Sequence, residues 1–319
     1  MIDVLSSTKF VVDGSTEVEI VESVIEELTS DINKSDLETT EISLNKYDWS
    51  LKTLLEIIFV FNCLNFCYWA RKDEDKWTIA TEKEQLDGAI AMFRCIEEEV
   101  KRNSDFLSGD ELADLSRIKL KRIFNGNVQI PLFEERLKIL NDVGKVIEKK
   151  FKNSISHMLK QSDNDAVKLV EVVVSSFPNY NDISLFKDRS ISFYKRAQLN
   201  SKMISDTLQK YDEKPLKNLD NLTAFADYKI PQKLRSLGVL RYSKKLAVKV
   251  DDYKLIKAHS KEEVEIRANM IWAVEKIREK LARRFPFVTA SHIDNMLWNM
   301  SQTKKKGEKP YHRTLTIAY

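Results

Sequence analysis

The sequence predicts a mostly α-helical protein, and three observations support this fold class. Gly (7) and Pro (6) together reach only about a third of average usage, whereas β-sandwiches and barrels need many tight turns. Apolar residues recur every three or four positions where the pattern is clearest, at 259–285. Only "DKWTIATEKE" (75–84) favours a short pair of strands. We expect one helical domain over 1–319 with a small β element near 75–84; two lobes, about 1–160 and 161–319, are the alternative.

In the first half, the most apolar segment is "LLEIIFVFNCLNFCYWA" (54–70). It is short for a membrane span, and polar residues such as Glu56 and Asn62 would be costly in lipid. We therefore expect a buried core helix over 50–70. The other helices of this half are expected at about 17–32, 85–103, 109–124 and 131–152.

In the second half, the segment 259–285 is the clearest helix. Ser260 and Glu263 fit a capping box at its start. An apolar stripe follows, made of Val264, Ala268, Ile271, Val274, Ile277 and Leu281. A short helix over 231–237 begins at a proline and ends before Gly238. The remaining helices are expected at 163–177, 192–211 and 288–300.

The charge balance argues against a nucleic-acid-binding protein. There are 52 Lys and Arg residues against 49 Asp and Glu, a net charge of +3, which is too even for a strongly basic binding surface. Basic runs at 241–246 and 303–309 are interpreted as solvated faces or loops. The first ten residues lack the pattern of a signal peptide, so we expect a cytoplasmic protein with no membrane partner.

The three cysteines, Cys63, Cys67 and Cys95, are too few for a disulfide scaffold. Cys63 and Cys67 stand at i and i+4 of the expected buried helix and could supply half of a metal site. No second Cys or His pair follows at ligand spacing. We interpret the cysteines as buried, small apolar side chains and expect no metal.

Asp227 attracts attention because it lies between two aromatic residues, Phe225 and Tyr228, in "LTAFADYKIP" (222–231). The local explanation is that an aspartate in a loop caps the helix that follows. A functional carboxylate is the less common alternative, because catalytic carboxylates and carboxylates with perturbed pKa values are a minority.

Other polar residues also have local explanations. Asp294 taken alone is a surface carboxylate, and Lys195 with Arg196 reads as an exposed basic pair. Asn65 needs a hydrogen-bond partner in an apolar helix, and Arg267 is expected to pair with a nearby acid. Phosphate-loop, dinucleotide-binding, serine-nucleophile and zinc-protease motifs are all absent from the sequence.

Several longer motifs, in order along the chain, resemble the queuosine salvage proteins, the queuosine 5'-phosphate N-glycosylase family. They run from about residue 50 to the C-terminus. The motifs are "VFNCLNFCYW" (60–69), "IPLFEERLKIL" (130–140), "SFYKRAQL" (192–199), "LTAFADYKIPQKLRSLGVLRYS" (222–243), "EEVEIRANMIWAVE" (262–275), "IDNMLW" (293–298) and "PYHRTLTIAY" (310–319).

The resemblance implies a helical architecture similar to DNA glycosylases and hydrolysis of the N-glycosidic bond of queuosine 5'-phosphate, which releases queuine for tRNA. It implies no metal or organic cofactor. The family's F-A-D-Y aspartate, here Asp227, is implied as the catalytic carboxylate, with Phe225 lining the base pocket. Such a carboxylate stabilises the positive charge that builds on the sugar, attacks it, or activates water. Tyr228 and Phe225 are expected to exclude water and stack on the deazaguanine ring.

The resemblance also implies binding groups on the helix that carries Asp294. Asn295 stands where the family has an aromatic residue, and Asn299 where it has a second carboxylate, so neutralisation of the cationic amine of queuine is in question. Lys195 is implied either to bind the 5'-phosphate or to keep Asp227 ionised.

The C-terminal pair His312 and Arg313 is a weaker candidate for the phosphate. Family members usually carry a histidine before the buried helix, and "NKYDWSLK" (45–52) has none. We therefore do not predict a ligand contact from a histidine at this position.

Four functions compete. The first is an N-glycosylase acting on a free nucleotide, expected to be a monomer without a nucleic-acid partner. The second is a non-catalytic protein that binds queuine or another deazaguanine and assists tRNA modification. The third is a glycosylase of DNA or RNA, which would need a basic face and salt-sensitive binding. The fourth is a helical scaffold without a small-molecule pocket.

Overall fold

The computed structural model describes residues 3–38, 45–302 and 307–319, and most of them are helical. The predicted mostly α fold class is therefore correct. The helices are α1 (Val4–Asp13), α2 (Glu22–Asp31), α3 (Lys34–Leu37), α4 (Leu51–Leu64), α5 (Gly88–Arg102), α6 (Gly109–Ala113), α7 (Arg117–Ile123), α8 (Phe133–Lys150), α9 (Ile155–Lys160), α10 (Ala166–Ser176), α11 (Lys195–Lys210), α12 (Lys229–Ser236), α13 (Lys244–Asp251), α14 (Lys261–Ala282) and α15 (Ala290–Gln302).

The strands form three antiparallel pairs in the described residues. They are β1 (Val18–Ile20) with β6 (Leu240–Tyr242), β2 (Thr78–Ala80) with β3 (Gln85–Asp87), and β4 (Ile183–Phe186) with β5 (Arg189–Ser192). The predicted β element near 75–84 is confirmed, although β3 begins just after that range. The β4–β5 hairpin was not predicted, because its turn residues Lys187 and Asp188 adopt positive φ angles of 46° and 62° without a glycine to signal the turn.

Caps explain why several helices begin where the sequence predicts. The Ser260 hydroxyl accepts a hydrogen bond from the Glu263 amide at 3.4 Å. The Glu263 carboxylate completes the start of α14 by accepting from the amide of His259, at 3.1 Å, one residue earlier than a standard capping box. At the other end of α12, Gly238 has a φ of +81°, which suits a helix stop.

The predicted helix over 50–70 is too long, because α4 ends at Leu64. Cys67 lies beyond this end with a φ of +44°, so Cys63 and Cys67 do not share a helix face. The buried Arg136 guanidinium donates hydrogen bonds to the carbonyls of Leu64, Phe66 and Cys67, and these bonds stabilise the non-helical turn.

Other boundaries also differ from the sequence prediction. The expected helix over 109–124 is divided into α6 and α7, because Ser116 caps a new helix by accepting from the Lys119 amide. The first residues of the expected helix over 17–32 form β1 instead, which pairs with a strand more than 200 residues later, and α2 begins only at Glu22. Helix α1 was not predicted and is capped by Asp3.

One hydrophobic core joins both halves of the chain. Helix α4 is buried from Ile57 to Leu64 and packs against α11, α5 and α8, while α14 packs against α1, α2 and α15. The prediction of a core helix rather than a membrane span is confirmed for this segment. Within the described residues, none of the helices combines the length and apolar character needed to cross a bilayer. The likeness to DNA glycosylases stays a prediction.

The basic run at 241–246 begins in β6 and continues into α13, where Lys244 and Lys245 are exposed, as predicted for a solvated face. Residues 303–306 of the second basic run lie outside the described residues.

Candidate active site

A cavity of about 1440 Å³ opens between α4, α5, α11, α15 and the C-terminal segment. Its wall brings together predicted site residues that are far apart in sequence. They are Lys195, Phe225, Asp227, Tyr228, Asp294 and Asn295. Helix α11 contributes a stripe at helical spacing, with Lys195, Leu199, Lys202, Asp206 and Lys210 facing the cavity. The volume is sufficient for a nucleotide-sized ligand.

Asp227 caps the helix that follows it, which is the local explanation given above, and it also lines the cavity. Its Oδ1 accepts hydrogen bonds from the amides of Lys229 (2.8 Å) and Ile230 (2.9 Å), so it caps the start of α12. This helix begins two residues before Pro231, earlier than predicted. Burial raises the pKa of the Asp227 carboxyl, while the nearby Lys195 ammonium and the two amides lower it. The result is a rigid carboxylate beside a cation.

Lys195 and Arg196 are buried, so the interpretation as an exposed basic pair is wrong. They are 5% and 2% exposed. The physical reason is the end of α4, whose last carbonyls lack helical partners. Arg196 donates to the Cys63 carbonyl at 2.5 Å, and the Lys195 ammonium lies 3.4 Å from the Asn65 carbonyl.

Lys195 combines burial with two neighbouring carboxylates. Burial lowers the pKa of its ammonium to about 8, and the negative charges of Asp227 and Asp294 act in the opposite direction. A lysine with this pKa can change its protonation state close to neutral pH.

Asp294 is buried and joins α15 to the loop that carries Asp227. It is 6% exposed, so the interpretation as a surface carboxylate is wrong. Its Oδ2 accepts a hydrogen bond from the Phe225 amide at 2.8 Å. Asp294 thereby fixes the backbone of the loop two residues before Asp227, and it lines the cavity together with Asn295 and Trp298.

Asn299 is not brought to the cavity with the other predicted residues. It lies one position beyond Trp298 on α15, outside the cavity wall. Its side-chain oxygen is buried without a hydrogen-bond partner in the described residues. The segment 45–52, which lacks the histidine that family members carry before the buried helix, contributes Asn45 to the cavity wall. Glu38 also lines this wall.

Aromatic rings surround the Asp227 end of the cavity. The Tyr228 ring lies 5.0 Å from the ring of Tyr311 and 6.5 Å from that of Tyr319, between centroids. Phe66 and Tyr68 also line this cavity. The arrangement gives a planar ligand apolar faces to contact.

The two C-terminal candidates differ in position. His312 is buried, hydrogen-bonds to the Tyr319 hydroxyl at 3.1 Å, and has its pKa lowered to about 3 by burial and by Arg267. It is neutral at physiological pH and does not line the cavity. Arg313 does line the cavity; its Nε donates to the Ala70 carbonyl at 3.0 Å, and its buried Nη1 has no hydrogen-bond partner in the described residues.

Comparison with known proteins identifies the family. The model of the family described as queuosine salvage protein matches residues 44–319. The chain belongs to the queuosine salvage protein family.

Relatives of this salvage protein share the name queuosine 5'-phosphate N-glycosylase/hydrolase. The relative from Sphaerobacter thermophilus is 36% identical over 271 residues, which cover 84% of this chain and 82% of the relative. The relative from Nematostella vectensis is 32% identical, with coverage of 89% and 85%. The relative from Mus musculus is 32% identical, with coverage of 82% and 81%.

The cysteines of this salvage protein are buried, small side chains, as predicted. Burial raises the pKa of Cys63 and Cys95 to about 12 and that of Cys67 to about 11. Protonated thiols are poor metal ligands and weak nucleophiles. Within the described residues, no three His, Cys, Asp or Glu side chains are grouped in a way that could hold a metal ion.

The sequence did not reveal three further cations that line the cavity: Lys76, Lys229 and Lys309. Burial lowers the pKa of the Lys229 ammonium and the positive charge of Lys76 lowers it further, so these two lie within electrostatic reach. The Lys229 ammonium is 5.6 Å from the centroid of the Tyr311 ring, and the Arg313 guanidinium is 4.9 Å from the same ring. Lys229, directly after Tyr228, could have been noticed in the sequence. Lys76 and Lys309 are distant from it in sequence and line the same cavity only because of the fold.

Proposed function

We propose that this chain is an N-glycosylase that hydrolyses the N-glycosidic bond of queuosine 5'-phosphate and releases queuine. The observation that carries the proposal is the geometry of Asp227. A carboxylate held by two backbone amides faces a nucleotide-sized cavity, beside the buried ammonium of Lys195. The names of relatives over 30% identical support the same reaction.

The chemistry requires a fixed negative charge close to the sugar. When the bond between C1' and the base nitrogen breaks, its electrons leave with the base and positive charge develops on the sugar. Asp227 stabilises this charge, water supplies its oxygen to C1', and one proton of that water ends on the base. Because the amides hold Oδ1, Asp227 needs no reorganisation during the reaction.

Lys195 is assigned to Asp227 rather than to the phosphate. The negative charges of Asp227 and Asp294 act on its ammonium, as do the positive charges of Arg196 and Arg267. The two carboxylates would repel a phosphate brought to Lys195. The role of Lys195 is therefore to favour the ionised form of Asp227, one of the two alternatives that the sequence left open.

The 5'-phosphate is assigned to the cations around Tyr311. Lys229 and Arg313 both lie against this ring, and Arg313 Nη1 has no hydrogen-bond partner among the residues that the structure describes. Lys76 lies nearby, with its ammonium 2.7 Å from the carboxylate of Asp87. A phosphate bound there would form charge-assisted hydrogen bonds with these cations while the base contacts other residues of the cavity wall.

Asp294 and Asn295 are assigned to the base. The carboxylate of Asp294 is an acceptor for the donor edge of a deazaguanine, and Asn295 offers both donor and acceptor atoms. Phe225 and Tyr228 provide apolar contacts. Asn299 lies outside the cavity wall and is not assigned a contact with the ligand.

The substrate is a free nucleotide rather than DNA or RNA in this proposal. Besides the cations, the cavity wall carries the carboxylates of Asp87, Asp206, Asp294 and Glu308, which would oppose a long phosphate backbone. We also expect a monomer in the cytoplasm. The non-catalytic queuine-binding alternative would leave the position of Asp227 beside Lys195 without a chemical role.

The test is incubation of the purified protein with queuosine 5'-phosphate, with queuine release followed by chromatography. Asp227→Asn should lower the rate by at least about 100-fold, the usual scale for loss of a preorganised charge at a reacting centre. Because asparagine also caps helices well, folding and binding should be retained. The matched control is Asp220→Asn, which changes an exposed aspartate earlier in the segment that leads to α12.

Release by the wild type and by Asp220→Asn, but not by Asp227→Asn, is the expected result. Binding without release by the wild type would favour the non-catalytic protein. Tight, salt-sensitive binding to duplex DNA with no action on the nucleotide would favour a nucleic-acid glycosylase.

A further inference from the structure

A buried ion pair lies behind the wall of the cavity. The guanidinium of Arg267 on α14 binds both oxygens of Asp182, with Nη1 to Oδ1 at 2.9 Å and Nη2 to Oδ2 at 2.6 Å. Their side chains are 1% and 5% exposed. Neither residue lines the cavity. The two parallel contacts fix the angle between the side chains as well as their distance.

The same two residues hold the backbone beside both candidate reacting groups. Asp182 Oδ2 accepts from the backbone amide of Lys195 at 3.3 Å, at the first residue of α11. Arg267 Nε donates to the carbonyl of Ala226 at 3.1 Å, directly before Asp227. One ion pair therefore connects the main chain at Lys195 with the main chain at Asp227.

The guanidinium has little freedom to move. It lies 3.9 Å from the centroid of the Phe193 ring and 4.4 Å from that of Tyr319. Glu263 adds a further contact, with its Oε1 3.4 Å from Nη1. The rings of Phe193 and Tyr319 thus restrict the plane of the guanidinium. Its edge donates to the carbonyl of Ala226 directly and connects to the amide of Lys195 through Asp182.

Stability alone is a weak reason for such a pair. Burying two charges costs nearly as much free energy as their attraction returns, and apolar replacements are often equally stable. Positioning gives a stronger reason, because displacement by 1 Å at a reacting centre can cost about 100-fold in rate.

We propose that Arg267 and Asp182 are positioning residues that fix the Lys195 ammonium relative to the Asp227 carboxylate. The inference rests on the proposed function for its catalytic consequence, and on the contacts above for its geometry.

Two variants separate geometry from charge. Arg267→Lys keeps the positive charge and loses the planar fork that reaches Asp182 and Ala226 together. Asp182→Asn keeps the shape but presents an amide to the donors of Arg267 or Lys195. In each variant we expect kcat to fall about 10- to 100-fold, with KM for queuosine 5'-phosphate changed less than about 3-fold.

The control is Glu265→Gln, on the same helix as Arg267. Glu265 is fully buried, and its Oε2 accepts from the amides of Thr16 and Glu17, away from the cavity. This variant removes a buried carboxylate without touching the positioned segments. We expect it to lower the melting temperature while kcat per folded molecule stays within about 2-fold.

A second measurement does not need turnover. The Lys195 ammonium is titrated by NMR in the wild type, Arg267→Lys and Glu265→Gln. The charged groups that act on it are Asp227 and Asp294, which favour its protonated form, and Arg196 and Arg267, which oppose it. Because Arg267→Lys keeps the charge but loosens the position of Lys195 relative to Asp227, the Lys195 pKa should fall by at least about 0.5 unit, and it should not move in Glu265→Gln.

The results distinguish failure of the proposed reaction from failure of the positioning role. If the wild type releases queuine, a kcat within 2-fold of wild type in folded Arg267→Lys and Asp182→Asn overturns the positioning role, as does an equal loss in Glu265→Gln. If the wild type releases none, the proposed reaction fails, and the titration alone decides. An unchanged Lys195 titration in Arg267→Lys then overturns the positioning role.

Discussion

Lys195 and Asp227 share a partly enclosed space in which burial acts on their pKa values in opposite directions. Burial lowers the pKa of Lys195 to about 8 and raises that of Asp227. Each charge offsets part of this effect on the other, because opposite charges favour each other's ionised form. The ionised pair therefore exists only between the pKa of Asp227 and that of Lys195, and it is lost in more acid and in more alkaline solution.

This pair predicts the pH dependence of queuine release. The wild type should lose activity in acid as Asp227 becomes protonated. Deprotonation of Lys195 near pH 8 should change the rate little, because a carboxylate in alkaline solution stays ionised without help from a neighbouring cation. In Lys195→Met, the acid loss should move to higher pH, because the cation that lowers the Asp227 pKa is gone. The measurement is kcat/KM for queuosine 5'-phosphate from pH 4 to pH 10.

Lys217→Met, which removes an exposed lysine, is the control and should keep the wild-type profile. An acid limb that stays in place in Lys195→Met would contradict electrostatic coupling between Lys195 and Asp227.

Individual site residues show which features of the site could not be predicted from the sequence. Asp227 caps α12, as the local interpretation predicts, and it also lines the cavity, while its catalytic role stays a prediction. The burial of Lys195 and Asp294 was missed, because burial depends on elements far away in sequence. Arg267 was expected to pair with a nearby acid, and Glu263 is one partner, but its bidentate partner Asp182 is 85 residues away.

At the level of elements, helices α6 and α8 pack through glycines with almost no space between their backbones. A Cβ atom on Gly144 of α8 would lie 2.2 Å from the Ala113 nitrogen and 2.5 Å from the Gly109 carbonyl oxygen. Both neighbours are backbone atoms, which cannot rotate away as a side chain does. The close approach of these helices therefore requires glycine.

Gly144→Ala should destabilise the protein by about 1–3 kcal/mol, the usual cost of overpacking. Contacts of 2.2 and 2.5 Å with backbone atoms place the cost towards the upper end of this range. There it exceeds the gain of about 1 kcal/mol that alanine normally brings to a helix interior, so the sign is determined by packing. Urea denaturation followed by circular dichroism measures the change in free energy of unfolding. Lys145→Ala, at the next and exposed position, should change it by less than about 0.5 kcal/mol. Equal stability of Gly144→Ala and the wild type would show that α6 can move away.

Elements with local signals were the ones predicted well. Capping side chains and apolar spacing predicted α14 and α10 to within a few residues. The end of α4 could not be predicted, because Arg136 from α8 stabilises it. Strands β1 and β6 have three residues each and pair across more than 200 positions, so neither contains enough alternation to be recognised.

At the scale of the whole molecule, the cavity and the core both use the two halves of the chain. Helices α4 and α5 from the first half form the cavity with α11 and α15 from the second. Helix α1 packs on α14, and the C-terminal Tyr319 carbonyl accepts from the Cys67 amide at 2.9 Å. A division near residue 160 would therefore cut through packed helices and through the proposed site.

The shared core predicts one cooperative unfolding transition, because neither half keeps its buried surface alone. Calorimetry should show a single peak for the wild type. With Asp227→Asn, which should bind queuosine 5'-phosphate without cleaving it, ligand at 100 times its Kd should stabilise the whole protein by about 2.7 kcal/mol. The peak should move to higher temperature without dividing. Asp220→Asn provides the control for the substitution. Two peaks, with only one moved by the ligand, would instead support two lobes at about 1–160 and 161–319 and would require the site to belong to one of them.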